Sequence, residues 1–302
     1  MSMTVDINKV KKYWEAFPAG YGELVDLADD PKKFLEERDR QTNLLSPDIE
    51  EKYRMDLAKG KVTLDLGCGQ GYNAQKLVTN GAKLTAVDLT SKGLELARFR
   101  FEVNHLQANF VRANAESLPF KDGTFEFVHS SGVIHHTPSI EGAVKEIHRV
   151  MVPGAIASIM IYNRHSIKYY YRINVKLRLK MLLLYLLPAG ILERLLAAKP
   201  DLEKYVPNAW PSGRDVLNAG TDFGGTYNPL SRVFSRKQAA QLFSAFIVEG
   251  FACAEGVYEP FKKNRTVIDK VIAKIYSLVM SRAGWYLFVY LRKPNHDEPR
   301  HT

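Results

Sequence analysis

Two groups of residues in this chain have the types and spacing to do chemistry. The first is Gly67, Gly69 and Gly71, at alternate positions, with Asp88 at the end of the next apolar run. Glycine at this density lets the backbone turn tightly and lets a ligand approach the main chain with no Cβ in the way. A carboxylate at the end of the following strand sits beside that turn and can accept two hydrogen bonds from the hydroxyls of a ribose. The second group is His135-His136, just past another apolar run. Histidine titrates near neutrality, so His136 is a candidate general base and His135 reads as a pocket wall. Tyr162, His165, Tyr227 and Arg232 lie further along and are candidates to meet an acceptor, the first two with a catalytic part. The cysteines, Cys68 and Cys253, offer neither a disulfide framework nor metal-ligand spacing, so no metal is expected.

These groups need elements to hold them. Lys61 to Asp88 reads as strand, glycine turn, helix and strand. Val62–Leu66 is apolar enough for a strand buried on both faces. Tyr72–Asn80 has helical spacing and ends at Gly81, and Leu84–Val87 is the second strand. Ser91–His105 is the next helix, followed by strands Asn109–Arg112 and Phe125–Ser131. Ser139 caps a helix over Ile140–Met151, and Ile156–Tyr162 is the fifth strand. Alternation of this kind implies a parallel sheet with helices on both faces and ligands outside the carboxyl ends of the strands.

The stretch Leu64–Gly71, LDLGCGQG, resembles the first motif of class I S-adenosylmethionine (SAM) methyltransferases. The spacing differs from the G-x-G-x-x-G of pyrophosphate-binding turns, and no P-loop lysine follows. Asn114-Ala115-Glu116-Ser117-Leu118-Pro119-Phe120 resembles the family stretch G-D-A-x-x-L-P-F, with Asn114 where an acidic residue usually meets the adenine amino group. Gly132–Pro138 looks like the family's exit from strand four, which passes under the methionine part of SAM. The resemblance spans Lys61–Asn163. It implies a Rossmann-like, seven-stranded, mostly parallel sheet with SAM as cofactor. The cofactor-binding residues it implies are Tyr13, Gly67, Cys68, Gly69, Gly71, Asp88, Leu89, Asn114, Ala115, Glu116 and Ser130. It also implies an antiparallel hairpin from the last two strands, over Ile247–Tyr258 and Trp285–Leu291, with a further helix at Val267–Met280 between them.

The organisation expected is residues 1–60 as an N-terminal helical lid, 61–163 as the SAM-binding core, 164–234 as a helical insertion or substrate cap, and 235–302 as the rest of the core. In the lid, Val5–Phe17 and Pro31–Arg40 read as helices, the first stopped by Pro18-Ala19-Gly20. Tyr13 and Trp14 close over the cofactor or serve as core contacts. In the insertion, Lys168, Arg172, Lys176 and Lys180 recur every fourth residue, a basic stripe on a helix. Met181–Leu192, MLLLYLLPAGIL, is long enough to dip into an interface and too short to span a bilayer. It either caps an apolar acceptor, with residues among Tyr169–Leu187 lining a cavity, or packs on the core behind a solvated basic face. Val175–Lys180 also alternates as a strand would.

Of 302 residues, 25% are charged and 46% hydrophobic, ordinary for a globular protein, and the formal net charge is +9. That balance suits an anionic partner, whether nucleic acid, membrane surface or acidic substrate, or basic residues scattered over the surface. No N-P-P-Y-type motif or RNA-binding module accompanies it, so nucleic acid is not favoured. The start of the chain lacks the apolar core of a signal peptide, and with two cysteines a cytoplasmic setting is expected, with peripheral membrane contact and homo-oligomerisation left open. The function expected is methyl transfer from SAM to a small, apolar or lipid-like acceptor. A non-methylating SAM enzyme such as a cyclase, or a non-catalytic SAM-binding module, would share the same fold.

Overall fold

The computed structural model describes residues 5–17, 30–42, 48–207, 209–221, 228–255, 278–295 and 298. The expected helix stop at Pro18-Ala19-Gly20, Tyr227 and most of the expected helix over Val267–Met280 lie outside these residues.

The described strands form one sheet in which, counted along the chain, the third, second, first, fourth, fifth, last and next-to-last strands lie side by side in that order. Strands β1 (Val62–Leu66), β2 (Lys83–Asp88), β3 (Asn109–Arg112), β4 (Phe125–Ser131) and β5 (Met151–Asn163) are parallel neighbours. Strand β8 (Tyr286–Arg292) runs antiparallel between β5 and β7 (Ile247–Ala254), so the last two strands form the expected hairpin. An eighth, two-residue strand, β6 (Val233–Phe234), pairs with the end of β5. Strand five starts earlier than expected, at Met151, because the chain keeps its pairing across a bulge opposite Phe125–Phe127, with Gly154 at φ 76° within it.

Helices cover both faces. Helix α6 (Ile140–Val150) buries Ile140, Ala143, Val144, Ile147 and Val150, a stripe of helical period. Its first turn is closed by Ser139 Oγ, which accepts from Gly142 N at 3.1 Å. It shares one core with α10 (Arg236–Leu242), whose capping box joins Ser235 and Gln238. Helices α4 (Tyr72–Thr79) and α5 (Ser91–Val103) build the core on the other face with Ala74, Leu77, Leu94, Ala97 and Phe101.

Two N-terminal helices pack beside the strand ends, and a short third, α3 (Asp48–Lys52), precedes β1. Glu15, near the end of α1 (Ile7–Ala16), sets its carboxylate on the start of α5, accepting from Ser91 N at 2.9 Å and Lys92 N at 3.3 Å. An acidic group there complements the helix dipole and satisfies two amides that have no partner inside the helix. Helix α2 (Pro31–Thr42) is held by Asp39, which takes both arms of the buried Arg100 guanidinium at 2.9 and 2.7 Å.

The insertion leaves from the end of β5 and returns to it through β6. It contains a widened helical turn (Lys168–Leu177), then α7 (Arg178–Leu186), α8 (Ala189–Ala198) and α9 (Gly213–Gly220). Pro188 splits the apolar run, since proline fits the start of a helix and not its interior. The stretch Val175–Lys180 is helical, so its alternation is not that of a strand. Ile173, Met181, Val216 and Leu217 pack with Tyr162 and Trp285, at the carboxyl end of the sheet. Among the described residues no helix is long and apolar enough to cross a membrane.

Candidate functional site

The turn after β1 makes the floor of the site. Gly67, Gly69 and Gly71 have φ of 77°, 51° and 84°, the left-handed region that disfavours side chains. A Cβ on Gly67 would lie 2.2 Å from Val133 Cγ2, so this position is closed by protein. A Cβ on Gly69 would meet nothing within 4 Å, because this glycine faces a cavity. The cavity measures about 480 Å³, within the range of small-molecule sites. Gly71 is turned inward against Ala97.

Asp88 closes β2 opposite this turn. Its Oδ2 accepts from Gly69 N at 2.8 Å, and its Oδ1 accepts from Thr90 N at 2.8 Å and Thr90 Oγ1 at 2.6 Å. Three of a carboxylate's roughly four acceptor positions are thus engaged, which leaves about one for a ribose hydroxyl where two bonds were expected. Burial raises the Asp88 carboxyl above its ordinary range against the pull of these donors. Leu89, Ala113, Asn114 and Ala115 continue the wall at the ends of β2 and β3. The Asn114 side-chain oxygen already accepts from Glu116 N at 3.1 Å, which leaves its second lone pair and the amide nitrogen to meet a base edge.

Several expected residues take other work. Cys68 borders the cavity, but burial and the nearby Asp88 push its thiol well above the usual range, so it is no nucleophile. Glu116 accepts from Ser139 N at 2.8 Å, and Ser130 Oγ donates to Leu66 O at 3.0 Å. Neither borders the cavity, whereas Ser131 does. Tyr13 packs on Phe17, with ring centroids 5.2 Å apart, and it is Ile7, Val10 and Trp14 of α1 that face the cavity. His165 stands in a different cleft with Arg164, Arg236, Lys237 and Arg282, so it is removed from the cavity chemistry. Arg232 spends its guanidinium on Thr137 O (2.6 Å) and Pro138 O (2.8 Å), fixing the turn that carries the histidines.

That turn is where a base could act. His136 is buried at the cavity edge, and its Nδ1 lies 2.7 Å from Leu230 O. Asn228 Nδ2 at 3.1 Å and Ser231 Oγ at 3.4 Å also approach Nδ1, but the shortest contact is to a carbonyl, which only accepts, and it favours the tautomer with the proton on Nδ1. Trp14 of α1 meets the same ring edge-on, centroids 5.2 Å apart. His135 is fully buried between His136 and Tyr162, with both ring nitrogens lacking a hydrogen-bond partner. Burial and the neighbouring His136 hold it well below the ordinary histidine range, so it stays neutral. Tyr162 borders the cavity, its ring stacked on Trp285 with centroids 4.4 Å apart.

Four further cavity residues carry little mark in the sequence. Tyr53 donates or accepts at Ser131 Oγ, 2.9 Å away, and sits edge-on to His129, which is itself paired with Asp65 at 2.7 Å between β4 and β1. Trp285 and Tyr286 arrive from the last strand. Lys168, expected on a solvated stripe, is 8% exposed. Its Nζ lies 4.5 Å over the Trp285 ring and donates to Thr221 O at 3.3 Å. Their partners are remote in sequence and carry no periodic mark. The apolar residues of 169–187 are absent from the cavity lining, where the insertion contributes Lys168 and Thr221.

The cradle fits the cofactor implied by the resemblance. It has open main chain at Gly69, a free acceptor position at Asp88 and apolar walls at Leu89 and Val133. Among the described residues no group of acidic, histidine or cysteine side chains could hold a metal ion.

Residues 64–159 match the family model described as a methyltransferase domain. The chain is 28% identical over 178 residues to a ubiquinone biosynthesis O-methyltransferase of Azoarcus sp., covering 58% of this chain and 72% of that one. It is 35% identical over 112 residues to an uncharacterized methyltransferase of Synechocystis sp., covering 36% of this chain and 51% of that one. With the latter protein the match thus spans about half of its length. A solved SAM-dependent methyltransferase of Methanosarcina mazei superposes with a TM-score of 0.51 at 20% identity, covering 83% of this chain and 99% of that one.

Proposed function

We propose that this chain is a class I SAM-dependent methyltransferase, as the match of residues 64–159 to a methyltransferase domain supports, and that it methylates a small apolar molecule at an acidic hydroxyl. The observation that carries this reading is the His136 imidazole, held at the cavity edge with its Nδ1 2.7 Å from Leu230 O. A base is needed only where the acceptor must lose a proton, which points to oxygen or nitrogen acceptors. The relatives whose names specify an oxygen acceptor favour the first.

When bound, SAM supplies a methyl already activated by positive sulfur. The protein's own share is then alignment, exclusion of water and removal of one proton. Gly69 and Asp88 hold the nucleoside side, and Leu89 and Ala115 flank the base. Trp14, Tyr162 and Trp285 offer an apolar and aromatic wall to the acceptor. His136 takes the acceptor proton at Nε2, and the Leu230 carbonyl keeps the ring in the right tautomer.

The test is His136→Phe assayed on a panel of phenols and enols. SAM affinity should hold while kcat falls by about 10²–10⁴, the usual worth of a positioned base. A variant that keeps wild-type kcat would remove His136 from proton transfer.

A further inference from the structure

Most of the exposed large apolar side chains among the described residues lie in the insertion. On α7, Met181 and Leu184 are buried, whereas Leu183 and Leu186 are 67% and 66% exposed. Leu179, Leu183 and Leu186 fall on one side of the helix, four and three residues apart, opposite the buried pair. Ile191 on α8 is exposed as well, as are Tyr171, Tyr185 and Trp210. An open face of this size is unusual on a water-facing helix, where leucines stand on the inner side.

The charge around it is one-sided. Between Arg164 and Lys199 there are eight lysines and arginines (164, 168, 172, 176, 178, 180, 194 and 199) against one acidic residue, Glu193. That is a net +7 in a segment of a chain whose total is +9. Arg172 and Lys176, in the turn before α7, are exposed, and so is Arg194 of α8. Tyr170, at the start of the same segment, borders the cleft lined by Arg164, Arg236, Lys237 and Arg282.

We propose that this face docks on an anionic lipid surface, with Leu179, Leu183, Leu186 and Ile191 seated among the acyl chains and the flanking arginines and lysines at the headgroups. The combination has a physical logic. Apolar side chains supply a binding free energy that ignores charge, exposed tyrosine and tryptophan suit the headgroup layer, and basic residues add attraction to anionic lipid. A second copy of this chain would carry the same +7 segment on the facing side, so charge repulsion opposes that occupant. The same insertion places Lys168 and Thr221 in the cavity lining, which ties the docking face to the acceptor end of the site.

The experiment is sedimentation with vesicles of phosphatidylcholine, alone or mixed with phosphatidylglycerol, at low and high salt. No turnover is read, so the outcome stands apart from the acceptor reading. The full chain should pellet with the mixed vesicles at low salt and be released as salt rises. Leu183→Ser with Leu186→Ser should leave the protein in the supernatant. Arg172→Glu and Lys176→Glu should each weaken the partition by about fivefold or more. All of these side chains are exposed, so melting temperature and SAM affinity should match the wild type. Wild-type protein in the supernatant with both vesicle types would overturn the proposal. So would equal, salt-insensitive binding to both. A dimer in light scattering that Leu183→Ser with Leu186→Ser dissolves would assign the face to a second copy instead.

Discussion

Asp88→Asn separates cofactor recognition from fold stability. The native carboxylate collects three donors: Gly69 N at Oδ2, and Thr90 N and Oγ1 at Oδ1. Asparagine keeps its carbonyl for the two Thr90 donors and turns its amide nitrogen on Gly69 N–H, donor against donor. The glycine turn thereby loses one bond to a charged group, about 1.5–3 kcal/mol, while the burial cost that raises the Asp88 carboxyl is relieved at the same time. These oppose each other, so the melting temperature should move by only a few degrees, about 1 kcal/mol. Binding has no such offset. A ribose hydroxyl that met a carboxylate now meets an amide, and the displaced turn adds to the loss. A deficit of ~1.5–3 kcal/mol makes Kd about 10–150 times larger. Titration calorimetry with SAM is the assay, with thermal melts of the same samples as control.

The pH response follows from the same group. Because the folded carboxyl titrates above its ordinary range, SAM affinity should start to fall on acidification before exposed carboxylates protonate. The Asn variant should lack that limb. In stability the sign is opposite. A carboxyl raised in the fold contributes stability that is present below its unfolded value and lost as pH rises through the folded one. Wild-type affinity in Asp88→Asn, or an affinity loss matched by equal unfolding, would refute the assignment.

Other outcomes follow from single contacts. Gly67→Ala places a Cβ against Val133 at φ 77° and should destabilise the fold, whereas Gly69→Val should melt closer to wild type and lose SAM binding; equal melting losses would contradict the open space at Gly69. His135→Leu removes two unpaired buried nitrogens and should leave stability at pH 7 unchanged or higher, since such groups cost about 1–3 kcal/mol. Its wild-type counterpart is neutral in the fold, with its pKa depressed, so stability should fall as pH drops below the ordinary histidine value of about 6.5. That acid loss should shrink in melts of His135→Leu, and an unchanged slope would place the acid sensitivity elsewhere. Asp39→Ala frees one side of the buried Arg100, which keeps Gln70 and Gln75 as partners, and should loosen α2. Faster amide exchange in α2 with the sheet unaffected is the readout, and unchanged exchange would mean that the pair does not hold the helix.

The core was legible because its signals are local. The limits of β1, β3 and β4 came directly from apolar runs bounded by turn residues, and Ser139 marked a helix start through capping. The glycine turn and Asp88 were legible as neighbours, and the structure places Gly69 N 2.8 Å from the Asp88 carboxylate at the cavity floor. The site was less legible where one residue decides orientation. Tyr13 and Trp14 are adjacent on α1, about 100° apart around the helix, and only packing selects Trp14 for the cavity. Lys168 looked like one member of an exposed stripe, and its burial depends on Trp285, more than a hundred residues away. The orientation of His136 depends on Leu230, at the far end of the insertion. Helical period in the insertion told that leucines share faces without telling which face the core would take.

The most direct test of methyl transfer is product identity by mass spectrometry after incubation with SAM and apolar phenols. The expected result is S-adenosylhomocysteine together with an acceptor bearing one methyl ether, both lost in His136→Phe while SAM still binds. Methylthioadenosine in its place, or an unmodified acceptor across the panel with SAM intact, would contradict it.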